Sequence, residues 1–371
     1  MSQHASLKIS ALSDWLPDAS LPLLIAGPCG AESEKQVLET AIALKKNTNT
    51  RIFRAGIWKP RTRPNSFEGA GSIGLQWLKK VKAETGFLTA VEVANAQHVR
   101  EAINEGVDIL WIGARTSVNP FSVQEIADAL IGINIPVMIK NPVNPDIQLW
   151  IGALERINQA GITKLIAIHR GFSSFKKTKY RNDPQWQIPI ELKILFPDLP
   201  IICDPSHICG KKNLLASIAQ KALDMDMSGW MIESHIHPEK ALSDSEQQIT
   251  PLELSALVNS LIVKKPNSHN KEFKNRLEQL RILIDEIDDE LFQSLAKRME
   301  IAEEIGAYKR DNNVTVLQIK RWENILTRQL KMAESLGLSE DFIKEILEAI
   351  HKESIQKQIQ IVNKISITDL S

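Results

Sequence analysis

From residue 21 to about 263 the chain repeats one pattern: a short apolar run rich in β-branched residues, then an amphipathic stretch of helical length. The apolar runs fall at 21–27, 51–57, 87–93, 108–114, 135–141, 164–170, 199–205 and 229–235, which makes eight. Segments such as SEKQVLETAIALKK, NAQHVREAINEG and VQEIADALIG separate them. Parallel strands need long crossovers, so this alternation specifies βα units in an α/β fold. Eight units in about 240 residues is the size at which a parallel sheet closes into a (β/α)8 TIM barrel. A doubly wound open sheet is the competing arrangement. Closure separates the two, because only a closed sheet sets strand eight beside strand one.

After 263 the pattern changes. KKPNSHNKE is polar and aperiodic and reads as a linker. Beyond it no strand signal occurs. Residues 275–310 read as one long amphipathic helix, followed by helices near 318–335 and 339–360. The last opens at Ser339, with Glu340 and Asp341 in its first turn. The expected organisation is an N-terminal segment 1–20, a barrel 21–262, a linker 263–273, an all-α three-helix domain 274–360 and a tail 361–371. With about 20 residues ahead of strand one, no separate N-terminal regulatory domain is expected.

Composition excludes several classes. Lys+Arg and Asp+Glu are 45 each, so the net charge is zero, which argues against nucleic acid or an anionic membrane as partner. No apolar run approaches the roughly 20 residues of a membrane helix. The start, MSQHASLKISALSDW, lacks the basic and apolar regions of a signal peptide. Three cysteines, Cys29, Cys203 and Cys209, are too few for a disulfide scaffold, and a reducing cytoplasm is expected.

A closed barrel gathers its site at the C-terminal ends of the strands. Strand one runs into Gly27-Pro28-Cys29, and strand two carries Arg54 and leads to Lys59-Pro60-Arg61-Thr62. Strand three carries Glu92, strand four Arg115, strand five Lys140, and strand six His169 and Arg170. Strand seven runs into Asp204-Pro205-Ser206-His207, and strand eight carries Glu233 and His235, with Asp244 beyond. One such residue alone reads as an ordinary solvated loop position. Eight strand ends of this kind do not.

The charges separate by strand. Arg54, Lys59, Arg61, Arg115, Lys140 and Arg170 would converge on one mouth and repel one another unless they met anions. Salt bridges would account for one or two of the six. A small, multiply anionic substrate accounts for all. Cys29, His207, Glu233 and Asp244 sit on strands one, seven and eight, which closure makes neighbours. Thiolate, imidazole and two carboxylates form a four-ligand divalent site, for which Mn²⁺, Fe²⁺, Co²⁺ and Zn²⁺ are all credible. Cys203 or Cys209 could stand in for Cys29, and His235 or His237 for His207; a lone cysteine is more often core. Gly69-Ala70-Gly71-Ser72-Ile73-Gly74 matches G-x-G-x-x-G but follows the loop RTRPNSFE rather than a strand, so it reads as a flexible loop over the mouth.

The motifs Gly27-Pro28-Cys29, Lys59-Pro60-Arg61-Thr62, Gly113-Ala114-Arg115, Lys140-Asn141-Pro142, His169-Arg170-Gly171 and Asp204-Pro205-Ser206-His207, with the Glu233 and Asp244 pair, resemble the 3-deoxy-D-arabino-heptulosonate 7-phosphate synthase family. The resemblance spans about 21–262, in order. It implies condensation of phosphoenolpyruvate with erythrose 4-phosphate, the first shikimate-pathway step. By motif, Cys29, His207, Glu233 and Asp244 would be ligands of a divalent metal, manganese first. Arg54, Lys59, Arg115, Lys140 and Arg170 would hold phosphoenolpyruvate, with Lys59 also catalytic. Arg61 and Thr62 would hold the phosphate of erythrose 4-phosphate. A related synthase acting on another phosphosugar, such as arabinose 5-phosphate, is the alternative, against which the Lys-Pro-Arg-Thr motif argues.

In the long helix a stripe runs Leu277, Leu280, Ile284, Ile287, Leu291, Ala302, Ile305, spaced three and four apart, and Arg298 and Lys309 fall on it. Cations on an apolar stripe are costly unless they snorkel to its edge or face a buried anion. Arg281 lies 17 residues before Arg298, roughly 25 Å along a helix, so one straight helix cannot bring both into one site. An antiparallel second copy could, which predicts a homodimer with shared sites. Arg281, Arg298, Lys309, Arg321, Ser354 and Gln358 resemble the all-helical chorismate mutase family over about 274–360. That resemblance implies rearrangement of chorismate to prephenate, with arginines on the substrate carboxylates, one of them from the other subunit, and Lys309 and Gln358 on the ether oxygen. Gln318 stands where that family usually carries an acid that binds the substrate hydroxyl, and Trp322 replaces another acid; an amide can still hydrogen-bond, so activity is expected, at full or reduced rate. The fusion also suggests feedback of prephenate or chorismate on the barrel, and a purely regulatory helical domain is the alternative.

Overall fold

The computed structural model describes residues 6–17, 21–60, 66–175, 178–264 and 270–363. The chain divides into two compact units, Met1–Pro266 and Asn267–Ser371.

The first unit is a closed parallel barrel of eight strands in sequence order: β1 Leu23–Gly27, β2 Ile52–Arg54, β3 Leu88–Val93, β4 Ile109–Ile112, β5 Val137–Lys140, β6 Leu165–His169, β7 Ile201–Cys203 and β8 Gly229–Glu233. β1 pairs with both β2 and β8, so the ring is complete, in line with the closed arrangement expected above. Each strand lies within its expected apolar run and is shorter than it. Crossover helices start on built-in caps: the side chains of Ser33, Asn95, Asn119 and Asp146 accept hydrogen bonds from first-turn amides.

Two apolar clusters follow from strand alternation. Leu23, Ile25, Ile52, Ala90, Ile109, Trp111, Met138, Ile166, Ile168, Ile202 and Met231 fill the barrel. Leu24, Ala26, Phe53, Val91, Leu110, Val137, Ala167 and Ile232 pack between strands and helices. With a side-chain period of two, the inward rows continue into Arg54, Glu92, Lys140, Arg170, Asp204 and Glu233. The residues ahead of β1 belong to this unit. A short helix, Leu12–Trp15, sets Leu16 into the barrel interior. At the other end Gly27, at φ +147°, is required because a Cβ there would collide with the Arg54 carbonyl. The G-x-G-x-x-G segment is tied down rather than loose: Gly71 N–H donates to Ile57 O (2.8 Å), and a helix, Ile73–Thr85, starts within it.

The second unit is three helices, Lys271–Asp311, Ile319–Ser335 and Glu340–Val362. The C-terminal half of the first packs on the third, where Gly306 lets the Gln358 backbone approach closely. Its N-terminal half is uncovered: Ile284, Ile287 and Leu291 are 56%, 63% and 54% exposed. Among the described residues no helix is long and apolar enough to cross a membrane.

Candidate active sites

At the barrel mouth the inward rows deliver charge to one point. Arg54 is buried, its Cζ 4.9 Å from the Trp111 ring centroid, its Nη1 3.3 Å from Glu233 Oε1, and its Nη2 donating to Cys29 O (3.2 Å). Lys59 Nζ lies 2.8 Å from both Cys29 O and Cys29 Sγ. Lys140 donates to buried Asp204 (2.7 Å), and the same Asp204 oxygen lies 2.8 Å from His207 Nδ1. Lys59, Glu92, Arg115, Lys140, Arg170, Arg181, His207 and Asp244 line one cleft. Two of the expected cations therefore already face acids, and four of the five described ones line the cleft; Arg61 and Thr62 lie outside the described residues.

Cys29, Glu233 and Asp244 offer a sulfur and two carboxylate oxygens within 4.8 Å of one another. His207 stands beside this trio rather than in it, its Nε2 3.8 Å from Glu233 Oε1. Burial pushes the Cys29 thiol up to about 12, and the charges of Glu233 and Asp244 push the same way against Lys59 and Arg54. Asp244 is held well below the usual carboxylate range: burial raises it, and Arg181 and His207 more than reverse that. Buried Glu233 Oε1 receives no hydrogen bond. A thiol, two carboxylates and an adjacent imidazole, with one carboxylate oxygen that accepts no hydrogen bond, fit a divalent metal. Cys203 faces the helix layer and Cys209 is buried at the end of the Pro205–Cys209 turn, so neither replaces Cys29. His235 is buried with its Nε2 3.7 Å from Glu32, away from the trio.

Three features escaped the sequence reading. His169 continues the outward row of Leu165 and Ala167, and its ring packs on Phe172 and Trp186, 5.8 and 5.1 Å between centroids, rather than facing the mouth. Burial, helped by Arg170, lowers its pKa to about 3. Arg181 and Gln247 join the cluster from loops that carry no motif. Asp204, seen only as part of a motif, is the shared partner of Lys140 and His207.

The helical unit holds a cavity of about 300 Å³ whose lining includes Arg298, Lys309, Gln318, Arg321, Trp322, His351, Ser354 and Gln358. Arg298 donates to Ser354 Oγ, and Lys309 Nζ donates to Gln358 Oε1 (3.0 Å) and Val316 O (2.6 Å). Trp322 stacks on His351 at 4.1 Å. The described lining has three cations and no acid, so the cavity suits an anion. Arg281 is exposed on the uncovered half of the first helix, 3.9 Å from Glu278, and does not line it.

A closed parallel barrel with cations and a thiol–carboxylate cluster at its strand mouth defines the (β/α)8 enzyme class. A family model described as the DAHP synthetase I family matches residues 18–272, and one described as chorismate mutase type II matches residues 280–359. The chain belongs to the DAHP synthetase I family and carries a chorismate mutase type II domain after the barrel. It is 33% identical over 226 residues to a phospho-2-dehydro-3-deoxyheptonate aldolase of Thermotoga maritima, 61% of this chain. The match spans 64% of that relative, less than two thirds of its length. It is 28% identical to a 2-dehydro-3-deoxyphosphooctonate aldolase of Vesicomyosocius okutanii subsp. Calyptogena okutanii, over 64% of this chain and 88% of that one. The crystal structure of the Thermotoga maritima DAHP synthase superposes with TM-score 0.58 at 28% identity, over 68% of this chain and 75% of that one.

Proposed function

We propose that the barrel condenses phosphoenolpyruvate with erythrose 4-phosphate to 3-deoxy-D-arabino-heptulosonate 7-phosphate, and that the helical domain rearranges chorismate to prephenate. The observation that carries the first reading is the cation-lined cleft opening beside the Cys29–Glu233–Asp244 trio. Arg54, Lys59, Arg115, Lys140 and Arg170 hold the phosphate and carboxylate of phosphoenolpyruvate, and Arg61 and Thr62 the phosphate of the aldose. Bringing two anions together is the main barrier, and fixed cations lower it without reorganising. Cys29, Glu233 and Asp244, with His207, would hold a divalent metal, manganese first, whose Lewis acidity would serve to polarise the aldehyde when bound. Asp204 holds the Lys140 ammonium and stands against Nδ1 of His207, which orients the imidazole.

The mutase reading rests on the helical cavity. Its reaction needs restraint and charge placement rather than an acid, base or nucleophile, and Arg298, Arg321, Lys309 and Gln358 supply both. The uncovered apolar face of the first helix supports a homodimer, whose second copy would bring Arg281 to the site. We take 21–262 as the synthase domain and 274–360 as the mutase domain, joined by 263–273. Prephenate or chorismate bound in the helical domain would feed back on the barrel. Three unpaired cysteines support a cytoplasmic setting.

The test is loss of phosphoenolpyruvate on mixing with erythrose 4-phosphate, with and without a chelator. Loss that stops on chelation and returns with Mn²⁺ is expected; no loss with any divalent metal refutes the synthase. Because relatives include 2-dehydro-3-deoxyphosphooctonate aldolases, arabinose 5-phosphate is the second aldose to try. A higher kcat/KM for it reverses the substrate assignment. Saturating prephenate that leaves synthase rate and KM unchanged rules out the feedback.

A further inference from the structure

We propose that Arg181 and Gln247 are a positioning pair that aims the two carboxylates of the barrel cluster, an inference that rests on the metal reading above. Arg181 Nη1 donates to Asp244 Oδ1 (2.8 Å) and to Gln247 Oε1 (2.7 Å). Gln247 Nε2 donates in turn to Glu233 Oε2 (2.6 Å). Asp244 and Glu233, on a loop and on a strand end, are thus joined through one guanidinium and one buried amide.

The pair takes one oxygen from each carboxylate and leaves the other. Asp244 Oδ2 accepts from Cys29 Sγ (3.1 Å), and Glu233 Oε1 receives no hydrogen bond but lies 3.3 Å from Arg54 Nη1 and 3.8 Å from His207 Nε2. The Cys29 sulfur and one oxygen of each carboxylate lie within 4.8 Å of one another. Carboxylates can rotate about their terminal torsion at little cost, so without a partner on the far oxygen their lone pairs are not aimed. Partners of this kind around ligating groups usually govern affinity by fixing orientation.

Arg181 is itself held. Gly210, at φ +66°, ends the Pro205–Cys209 turn, and a Cβ there would run into the Arg181 Cβ. Neighbouring Asn182 donates from Nδ2 to His207 O (2.6 Å) and accepts from Arg170 Nη1 (2.8 Å) at Oδ1. Residues 181 and 182 therefore tie the ends of β6 and β7 to the loop after β8. Arg181 acts here through Asp244 and Gln247, as a positioning residue.

The experiment is direct metal binding to the full-length protein, with Mn²⁺ and Co²⁺ alone as probes. Gln247→Met removes the bridge without changing charge. It is expected to weaken Mn²⁺ binding about 10- to 100-fold, the range for such partners, and to shift the Co²⁺ ligand-field bands. Arg181 is half exposed, so Arg181→Met gives a second variant at a site that water can reach. Its loss is expected to be smaller, because it also removes a cation that repels the metal. The double variant should bind more weakly than either single variant, since Arg181 holds Asp244 directly while Gln247 holds Glu233. Unchanged Mn²⁺ affinity and Co²⁺ spectrum in Gln247→Met overturn the inference. So does a raised KM for phosphoenolpyruvate with unchanged metal affinity in Arg181→Met, which makes Arg181 a substrate contact. A wild-type protein that binds neither ion overturns the metal reading itself, a different result from intact wild-type binding with unaffected variants.

Discussion

The Arg54 guanidinium and the Glu233 carboxylate lie 3.3 Å apart, both buried, on β2 and β8, the two strands that flank β1. Neither charge has water to fall back on, so each depends on the other. Burying one alone costs several kcal/mol.

Arg54→Met is therefore expected to destabilise the barrel by about 3 kcal/mol, toward the low end of the range for breaking a buried pair because Gln247 still bonds Glu233. Urea unfolding of the variant checks this. A loss under 1 kcal/mol would mean that Glu233 is neutral or hydrated in the folded protein.

His169 sets a pH dependence of stability. Its pKa is lowered from 6.5 to about 3 by burial, with Arg170 adding to the effect. The folded protein keeps it neutral over that window, while the unfolded chain takes up the proton below 6.5. Stability is thus fully present above 6.5 and falls as pH drops toward 3, by at most about 1.4 kcal/mol per pH unit from this group. His169→Phe, which keeps the packing on Phe172 and Trp186, should flatten the slope between pH 6.5 and 5 in denaturant melts. An unchanged slope would assign it to other groups.

Lys309 bonds Gln358 and Val316 O across the helical cavity. Lys309→Met is expected to lower the mutase kcat by about 10²–10³, the usual loss for one preorganised charge donor, and to leave phosphoenolpyruvate consumption within twofold. Separate assays on one preparation decide it. A mutase rate within threefold of wild type would move the chemistry away from this residue.

Arg281 and Arg298 should act in trans. Each of Arg281→Ala and Arg298→Ala is expected to lose mutase activity alone. Mixed under conditions that exchange subunits, they should regain up to about a quarter of the wild-type rate, because half of randomly paired dimers carry one intact site of two. No recovery, with exchange shown independently, argues that each site is complete within one chain.

How far the sequence reaches differs between the two units. Eight alternating runs determined eight strands, because period-two burial and crossover length are local properties. They also determined which charges stand at strand ends, and closure then makes Cys29 and Glu233 neighbours through β1 and β8. The sequence could not orient His169: both faces of a parallel strand are buried, so LIAIH has no polar alternation to mark its inner side. Nor could it find Arg181 and Gln247, whose roles arise from loop conformations that bring residues 63 and 66 positions apart together. In the helical unit the three-four spacing marked the apolar stripe, yet only the packing of the first helix on the third separated its buried end, near Ala302, from its uncovered end, near Ile287. Patterns along a chain record which side chains must leave water. Which atoms they meet is decided by long-range closure and by loops, and that information exists only in three dimensions.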